Sequence, residues 1–278
     1  MEPLQNTAIV REIIAAWQQQ SGVPAWGITP LAGLQLLPSR KAGLLPEQGC
    51  LLCFVLPYYA GDFPGRNVSL YALAEDYHTV AASLFAPLVE TLSSLFSQNL
   101  FLLFSDSGPI PEVEAAVRAG LGVRGWHRQL ITPQWGSLCF LAEIVTDLPL
   151  IPTTPLQETE CEGCGACLAA CPTGALTREG LCAERCRSHI TQKKQPLTEW
   201  EAQQIAEGGM AWGCDRCTLA CPHNHGIPLT PIAALRQGLC PLLTEENCAE
   251  LAAHRSYGWR GEAVLHRNLR LIKKKPRL

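Results

Sequence analysis

Long apolar runs are missing from this chain. Glu90 and Gln98 interrupt the best candidate, so no window of about 18 residues is apolar enough to span a bilayer. Residues 1–20 are not expected to act as a secretory leader, because they carry Glu2, Arg11 and Glu12 and hold no continuous apolar stretch. Charged residues are few, 17% against 47% hydrophobic, the balance of a soluble globular protein. Basic residues are scarcest away from the end. Eight of the 22 Lys/Arg but one of the 25 acids lie in 254–278, which leaves 14 basic against 24 acidic residues before it. That balance argues against a broad basic face on the first 253 residues. The tail is either a contact for nucleic acid or another acidic surface, or a solvated, frayed end.

Cysteine is plentiful, with 14 in 278 residues. Cys161-Glu-Gly-Cys164-Gly-Ala-Cys167-Leu-Ala-Ala-Cys171-Pro172 has the spacing C-x2-C-x2-C-x3-C-P, the bacterial run for iron–sulfur ligation. Three closely spaced thiolates wrap one cubane, and the fourth, followed by proline, turns to the other. Cys214-Asp-Arg-Cys217-Thr-Leu-Ala-Cys221-Pro222 repeats the pattern in part. A zinc site needs two pairs and no third cysteine at this spacing, and disulfide frameworks belong to short secreted chains. Two [4Fe-4S] clusters need eight thiolates. The runs supply seven, and the eighth is Cys182 or Cys186. Thiolate ligands imply a reducing cytoplasm. Cys50 and Cys53 form a C-x-x-C by spelling only. They lie on a probable strand, 49–57, where positions three apart face opposite ways, so they are expected as core residues.

Apolar spacing predicts a helix over 7–20, ended by Gly22, and a strand over 23–29. An irregular stretch runs over 30–48 and a Gly/Pro loop over 61–66. A long helical region is expected over 68–98, broken or kinked at Pro87. A strand over 99–104, turn residues at 105–109, a helix over 111–119 and a strand over 137–145 follow. This alternation predicts an α/β (α+β) N-terminal domain, residues 1–147. A proline-bearing linker at 148–159 should lead to a bacterial-ferredoxin-like double-cluster module at 160–230 and a short helical, basic segment at 231–278. By spelling alone Asp106 is a turn or N-cap residue and His78 a surface or core histidine. His127, His189, His223 and His225 carry no motif and read as structural, and Cys139, Cys240 and Cys248 as buried apolar residues.

Several segments together resemble the epoxyqueuosine reductase family, cobalamin and iron–sulfur enzymes of tRNA modification related in their core to reductive dehalogenases. Tyr71-Ala-Leu-Ala-Glu-Asp76-Tyr77-His78 is similar to the family's Y-A-x-G-x-D-Y-H, and Asp106-Ser-Gly-Pro109 to its D-[ST]-[AG]-P loop. Arg118-Ala-Gly-Leu-Gly122 and Gly136-Ser-Leu-Cys-Phe-Leu-Ala-Glu143-Ile resemble R-A-G-L-G and G-S-x-x-F-L-G-E-I. Cys186, in Arg185-Cys-Arg-Ser-His-Ile-Thr191, matches the single cysteine of R-C-x-S-x-x-T, and this match selects it over Cys182. The likeness covers roughly residues 5–235.

The resemblance implies that Cys161, Cys164, Cys167 and Cys221 hold one cluster, and Cys171, Cys186, Cys214 and Cys217 the other. It implies a bound cobalamin, with Asp76 and His78 near the corrinoid, and Asp106 as catalytic acid. An external low-potential donor would feed the clusters, and the product would be queuosine in tRNA. Asp106 could donate a proton near neutral pH only if burial raised its pKa. A monomer without membrane attachment is expected. Trp126-His127 replaces the family's lysine–asparagine pair, the glycine-rich stretch within 30–48 is shortened, and the C-terminal helical repeats that help hold tRNA are expected to be absent or vestigial. Two alternatives stay open: a corrinoid reductase of a small organic molecule, and a two-cluster electron carrier without catalysis.

Overall fold

The computed structural model describes residues 2–273; Lys274, Lys275 and Arg277 of the basic tail lie outside them. A four-stranded sheet forms the frame of the first half. Its strands are β1 (Ala25–Pro30), β2 (Cys50–Pro57), β3 (Phe101–Phe104) and, later in the chain, β6 (Cys139–Thr146). The order is β1-β2-β6-β3 and every pair is antiparallel. The short hairpin strands β4 (Val123–Arg124) and β5 (Leu130–Ile131) make a separate pair that the sequence pattern did not announce.

The two faces of β2 show why this sheet lies between layers. Cys50, Leu52, Phe54 and Leu56 pack against α1 (Pro3–Ser21) and α2 (Tyr77–Leu95). Leu51, Cys53 and Val55 pack on the other side with Ala115 and Ala116 of α3 (Glu112–Arg118). Cys50 and Cys53 therefore sit in different cores, as period-2 alternation requires. Trp17, Phe54 and Phe85 meet at centroid separations of 4.8–5.7 Å and anchor the first layer. Gly22 ends α1 in the left-handed region at φ 72°, its N–H donating to the Gln18 carbonyl.

The long helical region departs from expectation in its start and at its proline. Only 77–95 is helical, and Pro87 neither breaks nor splits it. Pro87 and Ser83, whose carbonyl loses its partner, both face solvent. An interior proline costs about 3 kcal/mol. Burial of Phe85, Leu88 and Leu92, at roughly 1.5–3 kcal/mol each, outweighs it. Residues 68–76 form instead a strap with one 3-10 turn at Leu70–Ala72. Their backbone is claimed from outside: Ser69 N–H donates to the Trp212 carbonyl, and Leu70 N–H to Asp215 at 3.0 Å. Val68, Leu70 and Leu73 then join Trp212, Tyr257 and Leu265 in a third core, which binds the first half to the last.

Residues 148–159 lie along the first half. Leu148 and Leu150 are buried, Ile151 N–H donates to Thr7 Oγ1, and Thr153 N–H to the Ile28 carbonyl. The cysteine-rich part carries two four-residue helices, α4 (Ala166–Ala169) and α7 (Arg216–Leu219), each just before a Cys-Pro. Between them lie α5 (Arg187–Thr191) and α6 (Glu199–Gly208), the latter opened by a Thr198/Glu201 capping box. Beyond them α8 (Cys248–Ala252) and α9 (Glu262–Lys273) close the chain, with Asn268 of α9 donating to the carbonyls of Thr191 and Ala211. No helix among the described residues is long and apolar enough to cross a membrane.

Candidate functional site

The two cysteine runs interleave. Cys161, Cys164, Cys167 and Cys221 line one small cavity. Gly163 sits there at φ 71°, and a Cβ on it would come within 2.6 Å of the Trp126 ring, so only glycine lets the 161–167 loop curl this tightly. Burial raises the Cys221 thiol, and Cys164, Cys167 and Cys161 add to the rise. Cys171, Cys186, Cys214 and Cys217 line the wall of a second, larger cavity. Burial first, and then Cys214, Cys186 and Cys171, push Cys217 up to about 12. Among the described residues no three His, Cys, Asp or Glu converge as ligands of one metal ion do. A cubane asks for something else, since each thiolate binds its own iron. Two sets of four thiols, each round its own space, could hold two such clusters. Cys182 is exposed and belongs to neither set.

Further polar ties hold the runs against the first half. Arg66 and Asp215 pair at 2.8 Å, with Asp215 6% exposed. Asn224 Oδ1 accepts from Ser137 N–H at 2.6 Å, and its Nδ2 donates to Ser137 Oγ at 2.8 Å and the Thr218 carbonyl at 2.6 Å. Cys161 N–H donates to the Arg124 carbonyl.

The larger cavity has a volume of about 480 Å³. Tyr58, Tyr71, Tyr77 and Phe140 supply an aromatic part of its wall, and Asp106 and Glu112 an acidic one. Tyr77 stacks on Phe140 at 4.1 Å and on His78 at 4.0 Å. Tyr77 Oη donates to Asp106 Oδ2 at 2.7 Å, and His78 Nε2 faces the same oxygen at 3.6 Å. Asp76 caps α2 through the His78 N–H, and its Oδ1 meets His78 Nδ1 at 2.7 Å. This cap, rather than a helix face, brings Asp76 and His78 together although they lie two apart. His78 thus bridges Asp76 and Asp106 behind the wall; neither it nor Asp76 lines the cavity.

Asp106 is not an N-cap. It holds a left-handed φ of 58° before α3, and its N–H donates to Glu112 Oε1. Residues 36–45 clasp this loop: Leu37 N–H donates to the Pro109 carbonyl and Lys41 Nζ to Ser107 Oγ. In the chain by itself the Asp106 pKa lies below its ordinary value. The His78 imidazole 3.6 Å away, and then the hydrogen bond from Tyr77, outweigh desolvation and lower it. Its neighbours keep the protons. The Asp106 carboxylate facing Nε2 and the hydrogen-bonded Asp76 carboxylate lift His78 to about 9. Burial lifts Glu112 to about 7. Glu143, fully buried on β6 with both oxygens unpartnered, is pushed well up by burial and by Glu112 and Asp106.

Glu112 and Glu143 were missed as parts of this group. The available signal was a lone acid inside the apolar strand Cys-Phe-Leu-Ala-Glu143-Ile-Val, two residues from Leu141 and Val145 on the same face. His127 is buried and lowered to about 4 by desolvation. Its Nδ1 accepts from Gln129 N–H and its Nε2 has no partner, at a place that borders both cavities. His223 pairs with Glu162 at 2.9 Å. Cys139 stands on the larger cavity's wall, and Cys248 is buried in the third core.

Comparison with known proteins matches the cysteine-rich part to a double-cluster domain. The 4Fe-4S double cluster binding domain family matches residues 160–224. Epoxyqueuosine reductase of Listeria monocytogenes is 35% identical over 207 residues, 71% of this chain and 54% of that protein. That of Vibrio cholerae is 37% identical over 205 residues, 70% of this chain and 55% of that protein. The chain thus spans about half the length of the curated relatives it matches. A crystal structure of epoxyqueuosine reductase with an epoxyqueuosine-modified tRNA-Tyr stem loop superposes at TM-score 0.80 with 26% identity, over 96% of this chain and 81% of that one. A reductive dehalogenase, described as pointing to a mechanism for B12-dependent dehalogenation, shares the fold at TM-score 0.55 and 15% identity, over 98% of this chain and 38% of that one. Sequence and fold together place the chain in the epoxyqueuosine reductase family.

Proposed function

We propose that the chain is an iron–sulfur and cobalamin-dependent reductase that converts epoxyqueuosine to queuosine in tRNA. The observation that carries this reading is the shared cavity: Cys171, Cys186, Cys214 and Cys217 line it together with Tyr77, Asp106 and Glu112. An electron carrier needs only the cysteine part, so a cavity that joins it to a proton-holding group favours an enzyme. In this reading the two thiol sets hold one [4Fe-4S] cluster each, fed by an external low-potential donor. The reading divides the chain into a cobalamin- and substrate-binding half at 1–147, a linker at 148–159, a cluster module at 160–230 and a helical, basic end at 231–278. It also takes the chain to be a monomer in a reducing, cytoplasmic compartment.

The cavity walls are aromatic and the space opens outward, which suits a flat ring larger than the cavity itself. A cobalamin held there, with Asp76 and His78 behind the wall rather than against it, would supply the nucleophilic two-electron chemistry; the protein binds, orients and protonates. Loss of the epoxide oxygen as water takes two electrons and two protons. His78 stores a proton on Nε2, 3.6 Å from Asp106 Oδ2. Asp106, exposed on a loop and hydrogen-bonded to Tyr77, is the group able to hand it to an oxygen in the cavity. Glu112 fixes the Asp106 backbone, and near neutral pH it carries a second proton part of the time.

The test is anaerobic reconstitution of the full chain, followed by an iron count, a cobalamin-binding spectrum, and nucleoside mass spectrometry after turnover on an epoxyqueuosine-bearing stem loop. About eight irons, one cobalamin and new queuosine are expected. Full iron and cobalamin without queuosine would leave a corrinoid reductase of some other substrate. The compact cavity favours a small organic molecule in that case, because its volume falls in the range of small-ligand pockets.

A further inference from the structure

Arg187 is a buried cation without a counter-ion. It follows Cys186, opens α5 and is 7% exposed. Its Nη2 donates to Gln204 Oε1 at 2.9 Å, which is a neutral partner. No carboxylate among the described residues pairs with it, and its Nε has no hydrogen-bond partner. The side chain is held in place, since Gly208 of α6 packs so closely that a Cβ there would approach Arg187 Cδ to 2.8 Å. A buried charge left unpaired costs several kcal/mol. Here the missing negative charge has an evident source: Arg187 lies on the same cavity wall as Cys171, Cys186, Cys214 and Cys217.

Among the described residues, the other set's cavity has no arginine or lysine on its wall, whereas the one carboxylate within the cavity-side set, Asp215, is already paired with Arg66. Glu158, Glu160 and Glu162 flank Cys161 in sequence and are exposed, as is Cys164. Arg178 stacks on Trp126 at 4.9 Å nearby, but it is exposed and screened by solvent. Cluster potentials follow local charge, hydrogen bonding and exposure. A nearby buried cation favours the more negative, reduced form of a cluster, and nearby carboxylates disfavour it.

We infer that Arg187 sets the direction of electron flow, by holding the cluster position of Cys171, Cys186, Cys214 and Cys217 at a higher reduction potential than that of Cys161, Cys164, Cys167 and Cys221. This rests on the two-cluster reading above. One electron leaves the outer position, which is oxidised by one unit, and the same electron reduces the cavity-side position by one unit. No proton or further reactant enters the step, and an external one-electron donor replaces the electron at the outer, exposed corner. Arg187 is a positioning residue in this scheme, since it acts on the cluster and not on the substrate.

The experiment is a potentiometric titration of the reconstituted full chain with dithionite, followed by electron paramagnetic resonance. Two one-electron transitions are expected. Cys164→Ser, at the exposed corner of the outer set, should move the lower one. Arg187→Met should lower the higher transition alone, shifting the partition of an electron between the positions by about tenfold or more, about 59 mV for one electron. Arg187→Lys, which keeps the charge, should restore most of it, with the iron count near eight throughout. The inference is overturned if Cys164→Ser moves the higher transition, or if Arg187→Met at full iron moves neither. The first result does not depend on any Arg187 variant folding. An unsubstituted chain with far fewer than about eight irons would remove the two-cluster reading itself.

Discussion

At the residue scale the site is a set of titratable groups that stabilise one another's charge. Asp76 and Asp106 hold His78 protonated to about pH 9, and His78 in turn lowers both carboxylates. The sign of the pH dependence follows. His78 is raised above its unfolded value near 6.5, so its contribution to stability is complete below that value and is lost as pH rises through about 9. Glu112, raised to about 7, acts in the same direction between its unfolded value near 4.5 and 7, because the folded state binds the extra proton. The ring resonances of His78 should therefore titrate near 9 by NMR. Asp106→Asn, which removes the foremost cause of the rise, should bring that midpoint down; an unmoved midpoint would dissolve the proposed proton store. The thiols allow an equally local check. Cys186→Ala should lose the iron of one cluster, about half of the total, while Cys182→Ala should keep all of it, as measured by iron analysis after reconstitution.

At the scale of elements, the strap at 68–76 shows how tertiary hydrogen bonds override local preference. Its residues have helical spelling, yet Asp215 takes the Leu70 N–H, the Ser69 hydroxyl and the Arg66 guanidinium together. Asp215 lies between Cys214 and Cys217, so the strap and the second thiol set are fixed by one carboxylate. Asp215→Asn leaves Arg66 beside a neutral amide in a site where both side chains are largely buried. Breaking such a pair costs about 3–5 kcal/mol. A fall in the unfolding free energy of that order, measured by denaturant titration, is expected, along with loss of amide protection across 66–73 in hydrogen exchange. A change within about 0.5 kcal/mol would show that the strap is held by its apolar side chains alone.

At the scale of the whole molecule, the larger cavity belongs to neither half. Phe140, Tyr77 and Asp106 come from the sheet domain and the thiols from the cysteine-rich part, and the third core and Asn224 fix their relative position. Charge is distributed just as unevenly, with 14 basic and 24 acidic residues before His254 and eight basic residues after. Affinity for a stem loop should therefore depend on few phosphate contacts, and its salt dependence should be shallow. With Z contacts the slope of log K against log salt is about −0.7Z to −0.9Z. Replacing Lys274, Lys275 and Arg277 by Gln should weaken stem-loop binding and reduce that slope, measured by fluorescence anisotropy across a salt series. Equal slopes before and after would place the phosphate contacts elsewhere.

The linear order of residues determined what local chemistry can determine. Cysteine spacing announces two clusters because ligand geometry is short-range, and Cys50 and Cys53 part to opposite faces because a strand alternates. The turn before α3, the stop at Gly22 and the strands at 50–57 and 139–146 follow from neighbours within a few positions. Folding alone decided the remainder. Pro87 stays inside a helix because its exposed side tolerates the lost hydrogen bond while its buried side does not tolerate a break. The pKa of Asp106 falls because His78 and Tyr77 arrive from another element. Arg187 becomes an unpaired buried charge only when α6 closes over it. Each of these depends on which distant groups share a low-dielectric space, and residue order does not encode that space until the chain has packed.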